Sequence, residues 1–136
     1  MSDQLSVSTL GALRAAHHPE GTPPYDRVVF EFRGPVPLIK VQYVTQLIAD
    51  GSGLPVPITG NAILQLTLRP AQAHNEQGQP TAPTRLSFGL PNVKEVAGAG
   101  DFEGVLTYGV GVAHKAELRV ITLAQASRVV VDFLHP

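Results

Sequence analysis

The chain has 136 residues, 43% of them hydrophobic, and carries ten lysines and arginines against eleven aspartates and glutamates, for a formal net charge of -1. That length fits one domain that buries roughly two thirds of its unfolded surface, and a near-neutral chain without runs of like charge lacks the clustered cations that nucleic acid or anionic lipid would demand. No cysteine is present, so a disulfide framework and a thiol nucleophile are excluded, and zinc would have to be held by histidines and carboxylates.

Residues Met1 to Leu5 show neither a basic n-region nor an apolar h-region, and no stretch is long and apolar enough to insert in a membrane. Two locations stay open: the cell envelope, if an export signal was trimmed ahead of Met1, or otherwise the cytoplasm. The first six residues read as a loosely ordered terminus, and Leu5 to Ala16 as a strand of imperfect alternation.

From Arg27 to Arg33 the pattern is that of a half-buried strand, with Val28, Phe30 and Phe32 on one face and Arg27, Glu31 and Arg33 on the other. A second run, Ile39 to Leu47, alternates likewise, and the intervening Gly34 to Pro37 predicts a hairpin joining the two. After the Gly and Pro loop that contains Gly51, Gly53, Pro55 and Pro57, a third strand spans Ala62 to Arg69. Pro70 to Pro83 turns polar and predicts a mobile surface loop.

Leu86 to Phe88 and Val93 to Val96 read as short strands, followed by a flexible Ala97 to Gly100 connector. Phe102 to Ala113 then reads as one strand. In it Leu106, Tyr108, Val110 and Val112 share a face, while Gly109 and Gly111 on the other predict a bulge or the close approach of another backbone or a ligand. Leu118 to Leu123 and Arg128 to Leu134 close the chain as a hairpin, and the consecutive Val129, Val130 and Val131 predict a strand packed on both faces. The whole is predicted to be all-β: a single-domain sandwich of two small, mostly antiparallel sheets.

No catalytic constellation assembles. The chain has no Gly-x-Ser-x-Gly elbow and no phosphate-cradling loop ahead of a helix. Asp101, Glu103 and Asp132 are the carboxylates a small hydrolase would use, yet glycine-rich surroundings without aromatic platforms favour turn and edge roles. His17 and His18, near Asp26, point to opposite faces of an extended strand and so chelate one ion poorly, and His74, His114 and His135 show no ligand spacing. Arg128 and Asp132 lie on the same side of a strand but ~13 Å apart, so a cross-strand partner such as Arg119 or Glu117 suits them better.

Several motifs occur in order: Tyr25-Asp26-Arg27-Val28-Val29-Phe30-Glu31-Phe32 with Gly34-Pro35, Val41-Gln42-Tyr43-Val44, Gly60-Asn61-Ala62, Gly100-Asp101-Phe102-Glu103-Gly104 with Tyr108-Gly109-Val110-Gly111, and Ser127-Arg128-Val129-Val130-Val131-Asp132. Together they resemble the AMIN-like domain of actinobacterial and related lipoproteins and cell-envelope proteins, over roughly Val7 to His135. That family is similar to the AMIN domain of cell-wall amidases and secretin pilotage systems, a sandwich of two small sheets that localises proteins on peptidoglycan. The resemblance implies a non-catalytic envelope module, whose partner is cell-wall glycan, peptidoglycan or an envelope protein; no cofactor is expected, and the histidine spacing gives no metal site. Family members usually follow an export signal, which this sequence does not display.

A wall polymer offers hydroxyls, amides and carboxylates, which a sheet face bearing guanidinium and phenol groups could bind through many modest hydrogen bonds. The candidate groups are Arg27, Arg33, Tyr43, Tyr108, Arg119 and Arg128. The competing expectation for each is a solvated pleat face or a core-edge position. Besides wall binding, an exposed strand edge recruiting a protein remains an alternative.

Overall fold

The computed structural model describes residues 7–135, so the expected loose terminus at residues 1–6 lies outside the described residues. Ten strands follow one another: β1 (Ser8–His18), β2 (Tyr25–Arg33), β3 (Leu38–Val44), β4 (Ala62–Arg69), β5 (Ala71–Gln72), β6 (Arg85–Ser87), β7 (Val93–Phe102), β8 (Val105–Val112), β9 (Glu117–Ala124) and β10 (Ser127–Leu134). They form two five-stranded sheets, a first ordered β5-β1-β2-β10-β9 and a second ordered β3-β4-β8-β7-β6. All pairings are antiparallel except the two-residue contact of β5 with β1. The predicted all-β sandwich is what forms.

The core lies between the sheets because strand alternation delivers one apolar row from each. Val28, Phe30, Val129, Val131 and Phe133 of the first sheet meet Leu64, Leu66, Leu68, Leu106, Val110 and Val112 of the second, all buried. Phe30 packs edge to face on Tyr108 across the layers, with ring centroids 5.6 Å apart. Each such side chain contributes about 1.5–3 kcal/mol through burial. Val130 faces outward yet is buried as well, because Val29 and Ile121 flank it in register.

Three expectations are corrected. The segments around Arg27–Arg33 and Ile39–Leu47 are not a hairpin: β2 has both edges filled, by β1 and β10, while β3 pairs with β4 in the other sheet. Gly34 to Pro37 instead crosses between layers, and its two prolines offer no N–H for a hairpin ladder. Ala97 to Gly100 is no connector but the middle of β7. The predicted Phe102 to Ala113 strand is broken by a two-residue turn in which Glu103 and Gly104 have φ of 53° and 79°, the left-handed pair that a tight hairpin requires.

Small residues in β7 and β8 have a steric reason. The connection spanning residues 45–61 folds back over the outer face of the second sheet, where Leu47 is buried against Ala97 and Ala99, with Val56, Ile58 and Ile63 around them. A Cβ on Gly109 would come 2.6 Å from the Leu47 side chain, and one on Gly111 would overlap the Thr59 carbonyl. The predicted close approach at these glycines is thus made by the chain's own backbone. Glu95, on that same face, accepts the Thr59 N–H at 2.8 Å and pairs with Arg85 at 3.0 Å. The two ends of residues 70–83 are likewise anchored, with Ala71, Ala73 and Ala82 buried and the Thr81 hydroxyl donating to Leu10 O at 2.7 Å, while residues 76–80 between them are exposed as a surface loop should be.

Candidate functional site

The outer face of the first sheet collects cations. Strand register puts Arg14 of β1, Arg27 and Arg33 of β2, Arg119 of β9 and Arg128 of β10 on this one side, five of the chain's seven arginines. Three carboxylates share it: Glu31, Glu117 and Asp132. Among the described residues no loop lies over this face comparable with the 45–61 segment on the second sheet.

Its organised centre is one row of the ladder, Arg27–Asp132–Arg119. Arg27 grips Asp132 with two N–H groups, Nε to Oδ1 at 2.7 Å and Nη2 to Oδ2 at 3.0 Å. Arg119 approaches from the other side, with Nε and Nη2 at 2.9 and 2.8 Å from Oδ2. Burial alone would raise the Asp132 pKa, but hydrogen bonds from Arg27 and Arg119 outweigh it and hold the carboxyl below its ordinary value. One charge of the pair is thereby neutralised, and one remains presented to solvent.

Tyr25, one row away, completes the cluster. The Arg27 and Arg119 guanidinium carbons lie 5.2 and 4.9 Å from its ring centroid, and His18 stacks on it at 4.8 Å with planes 12° apart. Guanidinium over an aromatic face fixes the cation and leaves its outer N–H edge directed away from the ring. Arg14 pairs with Glu31 at 2.8 Å, and Arg128 Nε donates to Ala126 O at 3.3 Å.

The six sequence candidates therefore divide. Arg27, Arg33, Arg119 and Arg128 share one face, with Arg27 and Arg119 in direct partnership. Tyr43 belongs to the other sheet, its hydroxyl donating to Ala116 O and accepting from Ala116 N, both at 2.9 Å. Tyr108 is not on a face at all: it is 1% exposed, donates to Pro83 O, and burial followed by the Asp101 charge pushes its hydroxyl up to about 12. Tyr25 was overlooked as a contact residue, although its place two residues before Arg27 on one strand puts it on the same side.

The carboxylates do not converge. Asp132 lies in the first sheet beneath its arginines, Glu103 is exposed in the β7–β8 turn, and Asp101 binds His74 Nδ1 at 2.8 Å and Ala73 N at 3.0 Å through one oxygen. Asp101 and His74 border a cleft of about 260 Å³ whose remaining lining includes Ala73, Pro80, Gly98 and Tyr108. Their pairing docks the 70–83 loop onto β7.

The histidines rearrange what spacing implied. His18 turns outward to Glu20 at 2.8 Å, whereas His17 turns inward to Asp26, as opposite faces require. His135 arrives at the same carboxylate from the far end of the chain. A separation of 109 residues left no local signal of that meeting.

A family model described as the AMIN-like domain matches residues 8–135. No curated protein and no solved structure matches the chain. No helix among the described residues is long and apolar enough to cross a membrane.

Proposed function

Because the chain belongs to the AMIN-like domain family, which suggests a non-catalytic module related to the cell wall, we propose that it localises its protein in the envelope by binding peptidoglycan through the outer face of the first sheet. The observation that carries this reading is the gathering of five arginines on that face, with two locked around Tyr25 and Asp132. Preset guanidinium edges bind carboxylates and carbonyls with little further loss of side-chain freedom. The Asp132 row and Arg128 are four residues apart, ~13 Å along the strand, so a ligand touching both is an extended polymer rather than a small metabolite. Between them lies the apolar strip of Val29, Val130 and Ile121, suited to the less polar faces of sugar rings.

Co-sedimentation with purified sacculi tests this. The protein should pellet at low salt and be released as ionic strength rises, since exposed charge contacts are screened; failure to pellet at any salt concentration would count decisively against the reading.

A second reading rests on β9, an eight-residue strand that pairs only with β10 among the described residues and leaves Val120 38% exposed. Such an edge can accept a strand from another protein. Under that reading Arg33→Ala with Arg128→Ala would leave recruitment unchanged, whereas wall binding through the face would weaken.

A further inference from the structure

We propose that His17, Asp26 and His135 form a binding site for a divalent transition cation of the zinc class, at the end of the sandwich where β1 and β10 terminate. The inference stands apart from the wall-binding face. Nδ1 of His17 lies 2.7 Å from Oδ1 of Asp26, and Nε2 of His135 lies 3.2 Å from the same oxygen. All three donor atoms fall within 4.8 Å of one another. Donors around a tetrahedral zinc, each about 2.0–2.1 Å from the metal, stand roughly 3.3 Å apart, a separation His135 and Asp26 already have, so His17 and Asp26 would open slightly and the two imidazole nitrogens would close from within 4.8 Å to admit the ion.

The anchoring of Asp26 is what distinguishes this trio from a chance contact. Its side chain is wholly buried, and Oδ2 accepts the Asn92 and Val93 N–H groups at 2.8 and 2.9 Å. Those two bonds tie the carboxylate to the opposite sheet and aim Oδ1 at the histidines, the outer-shell arrangement that orients metal ligands. The imidazoles are half-buried, 28% and 17% exposed at the side chain, and meet edge to face at 89° with centroids 5.4 Å apart. They can therefore yield the small distance needed while Asp26 stays fixed.

Two imidazoles and one carboxylate favour zinc and similar cations over calcium or magnesium, which prefer all-oxygen shells. His135 also lines an open cleft of about 280 Å³ with Pro23, Lys115, Ala116, Glu117 and Leu134, the side from which a fourth ligand would approach. Water or a carboxylate entering from that cleft would complete the shell. An ion held there would tie the ends of β1 and β10 to Asp26 of β2.

The test is calorimetric titration of tag-free, chelator-treated protein with zinc chloride, together with visible absorption after cobalt(II) addition. One equivalent should bind, cobalt should give the intense bands of a four-coordinate site, and His17→Ala and His135→Ala should each weaken zinc binding at least tenfold. His74→Ala, remote from the trio, should bind as the parent does. No heat beyond dilution with the parent protein, or unchanged affinity in the His17 and His135 variants, would overturn the site. Should either alanine variant lose its circular dichroism spectrum, His17→Gln and Asp26→Asn, which keep the local shape, decide the matter by the same criterion.

Discussion

The two sheets treat their outer faces differently. On the second sheet, glycines and alanines at Ala97, Ala99, Gly109 and Gly111 make room for residues 45–61, which seat Leu47 there and bond back through Glu95. On the first sheet, long arginines stand over the strands, and among the described residues no comparable segment covers them. A face that accommodates the chain's own backbone is spent on stability. The face left open, with cations already braced by Asp132 and Tyr25, is the one proposed to meet the wall.

The contrast breaks most visibly at Leu47. Leu47→Ala should cost about 2–5 kcal/mol in urea unfolding, because it empties a fully buried site, while the binding of still-folded protein to sacculi stays unchanged. A cost below ~0.5 kcal/mol, the usual range for a surface change, would mean that the 45–61 cover is not part of the folded unit. Gly111→Ala should follow at about 1–3 kcal/mol, the overpacking range, since its methyl meets the Thr59 carbonyl; a neutral result would show that the cover yields freely.

On the open face the first expected effect is a pH dependence. The folded-state pKa of Asp132 is lowered, so its stabilisation is fully present above the unfolded value of about 3.9 and is lost as pH falls through the lower folded value. Asp132→Asn should therefore lower stability at pH 7 and lose less on acidification below about pH 4 than the parent does. Parallel acid-unfolding curves for the two proteins would refute the role given to the Arg27–Asp132–Arg119 row. Smallest in stability is the pair Arg33→Ala with Arg128→Ala, expected within about 0.5 kcal/mol of the parent, yet at least tenfold weaker in sacculus binding; equal binding would remove those residues from the site.

Much of this was legible beforehand, and the exceptions have physical causes. The alternation of Val28, Phe30 and Phe32 against Arg27, Glu31 and Arg33 fixes both strand and facing, since a period of two leaves one assignment. Which strands neighbour one another is another matter: β2 and β3 look like hairpin mates because local pattern carries no information about which edges are already filled. Ala97 to Gly100 look flexible because small residues serve equally for mobility and for close packing. The Glu103-Gly104 turn lacks the Asn-Gly or Asp-Gly signature and so passed for strand interior.

The site divides along the same line. Arg27 and Arg119 were readable as face residues, but their shared hold on Asp132 joins positions 105 and 13 residues apart along the chain, which only sheet order reveals. Tyr108 could not be separated from Tyr43 by pattern alone, because each occupies an alternating strand. Its burial follows from the central place of β8, flanked by β4 and β7, against the edge position of β3.

The central claim, that the open arginine face is the surface that meets the wall, is tested most directly by a titration of isotope-labelled protein with soluble peptidoglycan fragments, followed by amide chemical shifts. The account predicts that the largest changes trace Arg27, Val29 and Arg33 of β2, Arg128 and Val130 of β10, and Arg119 and Ile121 of β9, and that they fade with added salt. Changes centred on the 45–61 cover, or none at millimolar fragment, would contradict it.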